Sequence, residues 1–224
     1  GQGPAAAPEQ GLAGSAARGL SVVSDRDCLE LCQEIASEPA FPRVGLVRFV
    51  PRGDAAACAA QLGGDFREAG LLLRTTYLAA VQDMPRQLHA DPAQLLERGE
   101  VLCTSDVSIV RGPLEAGAPF VRSPCVVAVF TVALQRHPRC DDQAQYARIG
   151  EKAEAAEAID RVLACAAAQG VEALVIPPPG VGGTAGCHHP AADMGDLLRK
   201  AVLARPPGAP RVCVCQERAV QLTP

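Results

Sequence analysis

Hydrophobic positions along this 224-residue chain fall into short continuous runs separated by longer amphipathic segments. Three runs predict strands, namely "RVGLVRFV" (43–50), "CVVAVFTVAL" (125–134) and "VEALVI" (171–176). A continuous apolar run of this length is typical of a strand that is buried on both faces. Helices must then cover both sides of the sheet that these strands form.

Shorter strand signals lie between and after these runs. "EVLCTSD" and "VSIVRG" predict two short strands that are separated at Asp106. In "RVCVCQE" (211–217) apolar and polar residues alternate. Because side chains alternate between the two faces of a strand, this segment predicts a final strand with Cys213 and Cys215 on one face.

Amphipathic segments predict helices in the N-terminal half. Ser24 followed by Asp27 is typical of an N-cap with an acidic first turn, which predicts a helix over 25–37. Residues 65–82 also have a helical pattern, and we expect three of their side chains to point inward: Leu72, Tyr77 and Val81.

Three further helices are predicted in the rest of the chain. The Asp-Pro pair at 91–92 supplies an N-cap and a proline in the first turn, so a short helix should end near Gly99. The longest periodic segment, 141–170, stops at Gly170, and 190–204 predicts a last helix. The apolar stripe expected along the longest helix consists of Ile149, Ala153, Ala156, Ile159, Leu163 and Ala167.

The order of these elements predicts the fold class. Strand, helix, strand, helix, strand in the C-terminal half favours a mixed, mostly parallel sheet with helices on both faces, which is a three-layer α/β fold. Residues 1–20 are rich in Ala, Gly and Pro without a period, and we expect a disordered leader there. The remaining 21–224 is expected to form a single domain.

Composition narrows the classes of partner and compartment. The chain has 21 Lys and Arg against 25 Asp and Glu, a formal charge of −4, which argues against duplex nucleic acid or an anionic membrane as partner. No apolar run approaches the roughly 20 residues of a membrane span. The ten cysteines include no CxxC and do not indicate a disulfide framework. We expect an intracellular protein, cytoplasmic or nuclear.

Two groupings raise the question of a metal. Cys28 and Cys32 lie one helical turn apart, but no nearby His or Cys completes a site, so we interpret them as core residues. Cys187, His188 and His189 are adjacent, and neighbouring side chains rarely converge on one ion. We therefore expect no metal and no cofactor. The two histidines are expected either to donate to a phosphate or to begin the following helix.

The segment "PPPGVGG" follows the predicted strand 171–176. In a parallel α/β sheet, ligands bind where such a loop leads from a strand into the next helix. Gly180, Gly182 and Gly183 would let the backbone approach an anion closely, since successive amides can form an anion-binding nest. A proline-stiffened turn that binds nothing explains the same residues, and local spacing leaves both interpretations open.

The letters from Gly180 to Ala185 also satisfy the dinucleotide pattern GxGxxG/A. That pattern belongs to the first strand and helix of its unit and requires an acidic residue about 20 positions later, which this chain lacks. A nicotinamide-dependent oxidoreductase is therefore the weakest of the function classes considered.

Taken together, residues 43–204 resemble the macrodomain fold, and specifically the microbial-type poly(ADP-ribose) glycohydrolase family. "VGLVRFV" is similar to the family's strand ending in LNFA, and "LGGDFREAGLLLRTTYL" to its stretch LGGARAQEEALCRxSxLY. "VLCTSDVSIVRG" resembles the segment carrying VxVFRD, and "VVAVFTVAL" the strand VxVISxA. "ALVIPPPGVGG" resembles the strand and GCG-type loop that wraps the ADP-ribose pyrophosphate.

This resemblance implies a macrodomain-like fold whose ligand is ADP-ribose or an ADP-ribosylated protein. It also implies that backbone amides of the glycine loop bind the pyrophosphate, which agrees with an anion site that needs little net positive charge. The ligand-binding residues implied in this way are Gly180, Val181, Gly182, Gly183 and Thr184.

The catalytic part of the family pattern is missing. Between Leu62-Gly63-Gly64 and Arg74, the family's paired glutamates fall on Ala69 and Gly70, and its glutamine falls on Glu68. The family's NPGGG loop has no counterpart in "PRGDAAACAA". Glycoside hydrolysis needs an acid for the leaving oxygen and a base for water, and neither alanine nor glycine exchanges a proton.

The sequence therefore predicts a pseudoenzyme with no catalytic residue, which binds ADP-ribose or an ADP-ribosylated partner. One alternative is an active ADP-ribosyl glycohydrolase that uses Glu68 after a shift of helix register by one residue. That shift would rotate the side chain by about 100° and would leave one carboxylate for work usually done by two. Another alternative is a protein-interaction domain that binds no small ligand.

Overall fold

The computed structural model describes residues 19–24, 26–53, 66–88, 91–178, 187–206 and 208–216, with backbone alone at 66–69, 84–88 and 216. Its strands are β1 (Leu20–Ser24), β2 (Val44–Pro51), β3 (Leu102–Arg111), β4 (Phe120–Leu134), β5 (Ala173–Ile176) and β6 (Arg211–Gln216). Its α-helices are α1 (Cys28–Ala36), α2 (Phe66–Arg74), α3 (Tyr77–Leu88), α4 (Pro92–Glu97), α5 (Ile149–Ala168) and α6 (Ala191–Leu203), and a 3₁₀ turn covers Leu114–Ala116.

The described strands form one six-stranded sheet in the order β1-β6-β5-β2-β4-β3. All neighbouring strands run parallel except β3, which pairs antiparallel with β4. In the centre of the sheet Leu46 of β2 lies between Val129 of β4 and Val175 of β5. The predicted mixed, mostly parallel α/β sheet is confirmed.

Helices cover both faces of the sheet. On one face α1, α2 and α3 pack on side chains that include Leu46, Val129 and Val175. On the other face α5 and α6 pack on side chains that include Val47 and Phe130. These two sets alternate along each strand, because successive side chains of a strand point to opposite faces. The short helix α4 closes the end of the sheet against Val50, Leu102 and Ala133.

Helix α1 begins after Asp27, which corrects the expected cap. Asp27 Oδ1 accepts a hydrogen bond from the Glu30 backbone N–H at 2.9 Å, whereas Ser24 ends β1. Asp27 Oδ2 accepts another from Arg74 Nη1 at 2.8 Å, and the Arg74 side chain is only 2% exposed. Cys28 and Cys32 both lie in the core, as predicted.

The helix expected over 65–82 is two helices. Thr75 Oγ1 donates to the Leu71 carbonyl at 2.6 Å and accepts from the Tyr77 backbone N–H at 3.1 Å, so this residue ends α2 and begins α3. Thr75 also pairs with Ile109 of β3 as an antiparallel bridge. This long-range pairing explains the break, and the predicted inward positions Leu72, Tyr77 and Val81 are all buried.

Two other expectations need correction. The two strands separated at Asp106 are one strand, β3, because Asp106 takes up a φ of 60° at an irregularity and the ladder continues beyond it. In α5 the buried stripe is displaced from the predicted one, and Ile149 is 90% exposed. The observed stripe consists of Ala155, Ala158, Ile159, Val162, Leu163 and Ala166.

A buried polar network lies beneath α3. Arg48 of β2 donates through Nη1 to the Tyr77 hydroxyl at 3.2 Å, and this hydroxyl is 2.6 Å from Thr131 Oγ1 of β4. All three residues are less than 9% exposed. The Arg48 guanidinium also lies over the Tyr77 ring, 5.2 Å from its centroid, so Tyr77 contacts this buried charge in two ways. None of the described helices is long and apolar enough to span a bilayer.

The expected leader falls almost entirely outside the described residues, since only 19–20 of it are described and Leu20 begins β1.

Candidate functional site

The carboxyl ends of β2, β4 and β5 lie at one edge of the sheet because these strands are parallel neighbours. The segment that joins β5 to α6 begins at this edge. It contains the predicted ligand-binding residues, which lie outside the described residues, as do all of 179–186: Gly180, Val181, Gly182, Gly183 and Thr184. The described parts of the site are therefore the residues that flank this segment and the ends of the neighbouring strands.

The connection from β4 to α5, residues 135–148, folds back on itself at this edge. Asp141 Oδ1 accepts from the backbone N–H groups of Gln143 and Gln145, both at 2.9 Å, and Ala144 has a φ of 54°. The turn places Tyr146 against the start of α6, where its backbone N–H donates to Asp193. An aspartate that accepts from amides two and four residues ahead is a common way to fix such a turn.

His189 joins the two connections. Its Nε2 is 2.8 Å from the Gln135 carbonyl oxygen, and its Nδ1 is 2.5 Å from the Tyr146 hydroxyl. A carbonyl oxygen only accepts, so Nε2 carries the proton and Nδ1 accepts from Tyr146. His189 is 5% exposed, and this burial lowers its pKa from the ordinary value. The structure therefore holds a neutral imidazole with both nitrogens in use.

Charged groups surround this pair. Asp193 accepts from the Tyr146 backbone N–H at 2.9 Å and from Lys152 Nζ, and the Lys152 hydrogen bond lowers the pKa of the Asp193 carboxyl. Glu151 accepts from Arg139 N–H at 2.7 Å and from the Gln135 side-chain amide at 3.3 Å. Burial, with Asp193 nearby, raises the pKa of the Tyr146 hydroxyl above its ordinary value. Tyr146 is thus a neutral donor at physiological pH.

A second backbone contact ties the same segments together. The His188 N–H donates to the Arg136 carbonyl at 3.0 Å, and the His188 ring stacks on His137 with centroids 5.0 Å apart. Residues 135–137 and 188–189 therefore run side by side at the carboxyl edge. A cavity of about 10 Å³, bordered by Arg52, Gln135 and His189 among others, lies beneath them and has room for about one water molecule.

His189 does not act as the sequence suggested, whereas a phosphate contact of the exposed His188 stays a prediction. Both ring nitrogens of His189 bind protein groups, so this side chain does not face a phosphate, and α6 begins at Ala191, two residues later. Among the described residues no group of three or more His, Cys, Asp or Glu side chains is arranged to hold a metal ion. Cys187 is fully buried in the core against α6.

The carboxyl end of β2 is occupied by acidic side chains. The Gly53 N–H donates to Glu97 Oε1 of α4 at 2.6 Å, and Arg52 pairs with Glu154 of α5 at 3.0 Å. In sequence, the segment that follows has no counterpart of the family's NPGGG loop. Here Gly53, with a φ of 86°, is the last described residue before 54–65, which lie outside the described residues.

Helix α2 contains Ala69 and Gly70, the two positions at which the resembling family has its paired glutamates. Glu68 and Ala69 are described as helical backbone, and Gly70 is buried in the middle of this helix. Apart from its chain neighbours and the backbone of α2 itself, no described atom lies within 4 Å of a Cβ built on Gly70. An alanine at position 70 therefore meets no obstacle in the described part of the protein.

Solved structures of poly(ADP-ribose) glycohydrolases are similar to this chain. The enzyme of Thermomonospora curvata bound to the inhibitor ADP-HPD has a TM-score of 0.63 and 16% identity, and the match covers 91% of this chain and 75% of that one. The Deinococcus radiodurans enzyme in complex with ADP-ribose has a TM-score of 0.65 and 15% identity over 92% and 79%. Its apo form has a TM-score of 0.60 and 14% identity over 91% and 76%.

The chain has a poly(ADP-ribose) glycohydrolase-like macrodomain fold. This confirms the family resemblance at the level of fold, since identities of 14–16% establish shared architecture. No protein-family model matches the sequence, and no curated protein matches it.

Sequence reasoning missed most of the polar site around this macrodomain's β5–α6 connection. Tyr146 and Asp193 lie 47 positions apart and Gln135 and His189 lie 54 apart, so no local motif contains a contact pair. The only signal was the Cys-His-His run, which led to metal and phosphate hypotheses because the tyrosine partner was not apparent.

Proposed function

We propose that this protein binds ADP-ribose, either free or attached to a protein, and does not hydrolyse it. The observation that carries the proposal is a glycohydrolase-like fold in which α2 has Ala69 and Gly70 at the positions expected for the glutamate pair. Binding is supported by the likeness to a structure in complex with ADP-ribose, which covers 92% of this chain.

The proposed ligand site is the segment after β5 at the carboxyl edge of the sheet. Backbone N–H groups there would bind the pyrophosphate, which requires little positive charge and suits a chain whose formal charge is −4. The donors proposed are those of Gly180, Val181, Gly182, Gly183 and Thr184.

Loss of hydrolysis follows from the chemistry of the glycosidic bond. The departing oxygen must receive a proton, and the attacking water must lose one, so enzymes of this kind use carboxyl groups at the reacting carbon. Neither the methyl group of Ala69 nor Gly70 performs either step. Under this proposal the protein therefore binds ADP-ribose without hydrolysing its glycosidic bond.

Glu68 provides the second candidate, an active glycohydrolase. It lies in the first turn of α2, where an acidic residue also stabilises the helix N-terminus. The observation that favours non-catalytic binding is that Glu68 is a single carboxylate, whereas the mechanism requires both an acid and a base.

Titration calorimetry of the whole chain with ADP-ribose tests binding. A saturable heat and a rise in melting temperature are expected, because a ligand that binds only the folded state stabilises it. Absence of both at about 1 mM ligand, where even a weak complex would form, would leave the protein-interaction domain as the surviving function.

A hydrolysis assay tests the second half of the proposal. Wild-type protein should release no ADP-ribose from a poly(ADP-ribosyl)ated substrate. The Ala69→Glu/Gly70→Glu variant restores both carboxylates on α2 and should show measurable release, whereas Ala69→Gln/Gly70→Gln, with the same size and no carboxyl group, should not. Wild-type release that is abolished by Glu68→Gln would establish the active alternative instead.

A further inference from the structure

The segment proposed to bind the pyrophosphate is followed directly by four described residues, which we call the flank. Cys187 to Pro190 lie between the segment and α6. This flank is attached to the β4–α5 connection through His188 and His189. On the other side of the segment the sheet fixes Ile176 at the end of β5.

Tyr146 and His189 supply the buried part of this attachment. The hydroxyl-to-imidazole contact is 2.5 Å, and the rings meet edge to face with centroids 5.8 Å apart. The Tyr146 hydroxyl also lies 3.0 Å from Met194 Sδ of α6. Because His189 uses Nε2 to donate to Gln135, removal of the Tyr146 hydroxyl leaves a buried Nδ1 acceptor without its donor.

We infer that Tyr146 and His189 are positioning residues that fix the carboxyl-side flank of the glycine-rich segment and thereby set its affinity for ADP-ribose. The consequence for affinity rests on the proposed function, whereas the fixing of the flank does not. Neither residue touches the ligand in this inference. They act through the backbone that they hold.

Donation from the Tyr146 hydroxyl to Nδ1 requires a neutral His189. A proton on Nδ1 would turn that nitrogen into a donor, and the Tyr146 hydroxyl would have to direct its own proton to the weak thioether acceptor of Met194. Burial disfavours the charged imidazole, while the Glu151 carboxylate opposes this in part. The other polar and charged groups around the ring are Gln135 and Lys152, Asp193 at the start of α6, and Arg52 and Glu154 across the small cavity.

The sign of the pH effect follows from the lowered pKa of His189. The unfolded chain takes up this proton near the ordinary value of 6.5, and the folded protein only at lower pH. The contribution of the neutral imidazole is therefore complete above pH 6.5 and is lost as pH falls below it. Because ADP-ribose binds the folded protein, its affinity should weaken only as pH falls through the lowered folded pKa of His189, which distinguishes positioning by His189 from a pH-independent packing role.

The chain offers a control, since its only two tyrosines both have hydrogen-bonded hydroxyls, that of Tyr77 buried and that of Tyr146 partly buried. Tyr77→Phe removes a hydroxyl on the α3 face of the sheet, and Tyr146→Phe removes one beside the flank. At pH 7.5 Tyr146→Phe should weaken ADP-ribose binding roughly tenfold, as expected for one unsatisfied buried acceptor. Tyr77→Phe should stay within about twofold of wild type. His189→Gln should lose the decrease in affinity that wild type shows as pH falls through the lowered pKa of His189, and His137→Gln should retain the wild-type profile.

Hydrogen–deuterium exchange without ligand provides a readout that is independent of the proposed function. The amides of Cys187, His188 and His189 should exchange faster in Tyr146→Phe than in wild type or Tyr77→Phe. Equal exchange rates of these amides in Tyr146→Phe and Tyr77→Phe would overturn the inference. If wild type binds ADP-ribose, equal affinities of the two variants would overturn it as well. If wild type gives no heat with ADP-ribose, the proposed function fails, and the exchange comparison alone decides whether Tyr146 and His189 fix the flank.

Discussion

Replacement of Asp27 by Asn separates two contributions that one side chain makes at the start of α1. Asp27 caps the helix through Oδ1 at 2.9 Å from the Glu30 nitrogen and pairs through Oδ2 with Arg74 at 2.8 Å. Asparagine is as good an N-cap as aspartate, so its oxygen keeps the first contact. Its amide NH₂ then faces the Arg74 guanidinium. Because both groups are hydrogen-bond donors, the contact with Arg74 is lost.

The burial of Arg74 determines how much free energy of unfolding Asp27→Asn should cost. This side chain is 2% exposed, and among the described residues its Nη2 has no hydrogen-bond partner, so Asp27 is its main compensation. A hydrogen bond to a charged group contributes about 1.5–3 kcal/mol. Asp27 is 31% exposed and partly screened by solvent, which favours the lower half of that range. Asp27→Asn should therefore cost about 2 kcal/mol, or roughly 4–8 °C in melting temperature for a domain of this size.

Urea unfolding followed by circular dichroism measures this cost, with Asp91 as the control. Asp91 caps α4 by accepting from the Ala93 nitrogen at 2.9 Å and is exposed. Asp91→Asn should change the free energy of unfolding by less than about 0.5 kcal/mol. Asp27→Ala should cost about 1 kcal/mol more than Asp27→Asn, since it also removes the cap. Equal midpoints for Asp27→Asn and Asp91→Asn would show that the buried guanidinium does not need its partner.

Further predictions concern two glycines and one carboxylate. Gly45→Ala should destabilise the protein by about 1–3 kcal/mol, because the new Cβ would lie 2.8 Å from Phe130 in the core. Gly70→Ala should stabilise it by about 0.5–1 kcal/mol, since a helix interior disfavours glycine and, apart from its chain neighbours and the backbone of α2, no described atom lies within 4 Å of the new Cβ; urea unfolding measures both changes. The Lys152 hydrogen bond keeps the pKa of Asp193 below its ordinary 3.8, so this contribution to stability is present above that pH and is lost as pH falls through the lower folded pKa. Asp193→Asn should therefore flatten the acid dependence of urea unfolding between pH 5 and pH 3.

The central strands could be predicted because short, continuous apolar runs are typical of strands that are buried on both faces. β1 could not, since Leu20–Ser24 is short and half-exposed at the edge of the sheet and has no such run. Asp106 interrupts the apolar pattern of β3, but a residue at φ 60° bends a ladder without ending it.

The stripe of α5 was misplaced for a different reason. The helix is rich in alanine, which is compatible with both the buried and the exposed face, so several stripes fit the sequence almost equally well. Ile159 and Leu163 belong to both the predicted and the observed stripe. Ile149, at the helix start and 90% exposed, could be assigned only once the packing of the first turn was known.

The polar network at the flank is difficult to explain by stability alone. Buried polar groups that satisfy one another contribute little more than an apolar core of the same shape, and they become costly when one partner is lost. Tyr146, His189 and Asp193 are therefore a poor way to pack the start of α6 if the preceding segment is only a turn. They are an effective way to hold a backbone at one position, because each hydrogen bond fixes a direction as well as a distance. The proposed anion-binding role of "PPPGVGG" agrees with such a fixed flank, and under that proposal substitutions in the two connections should alter ligand affinity at residues that never touch the ligand.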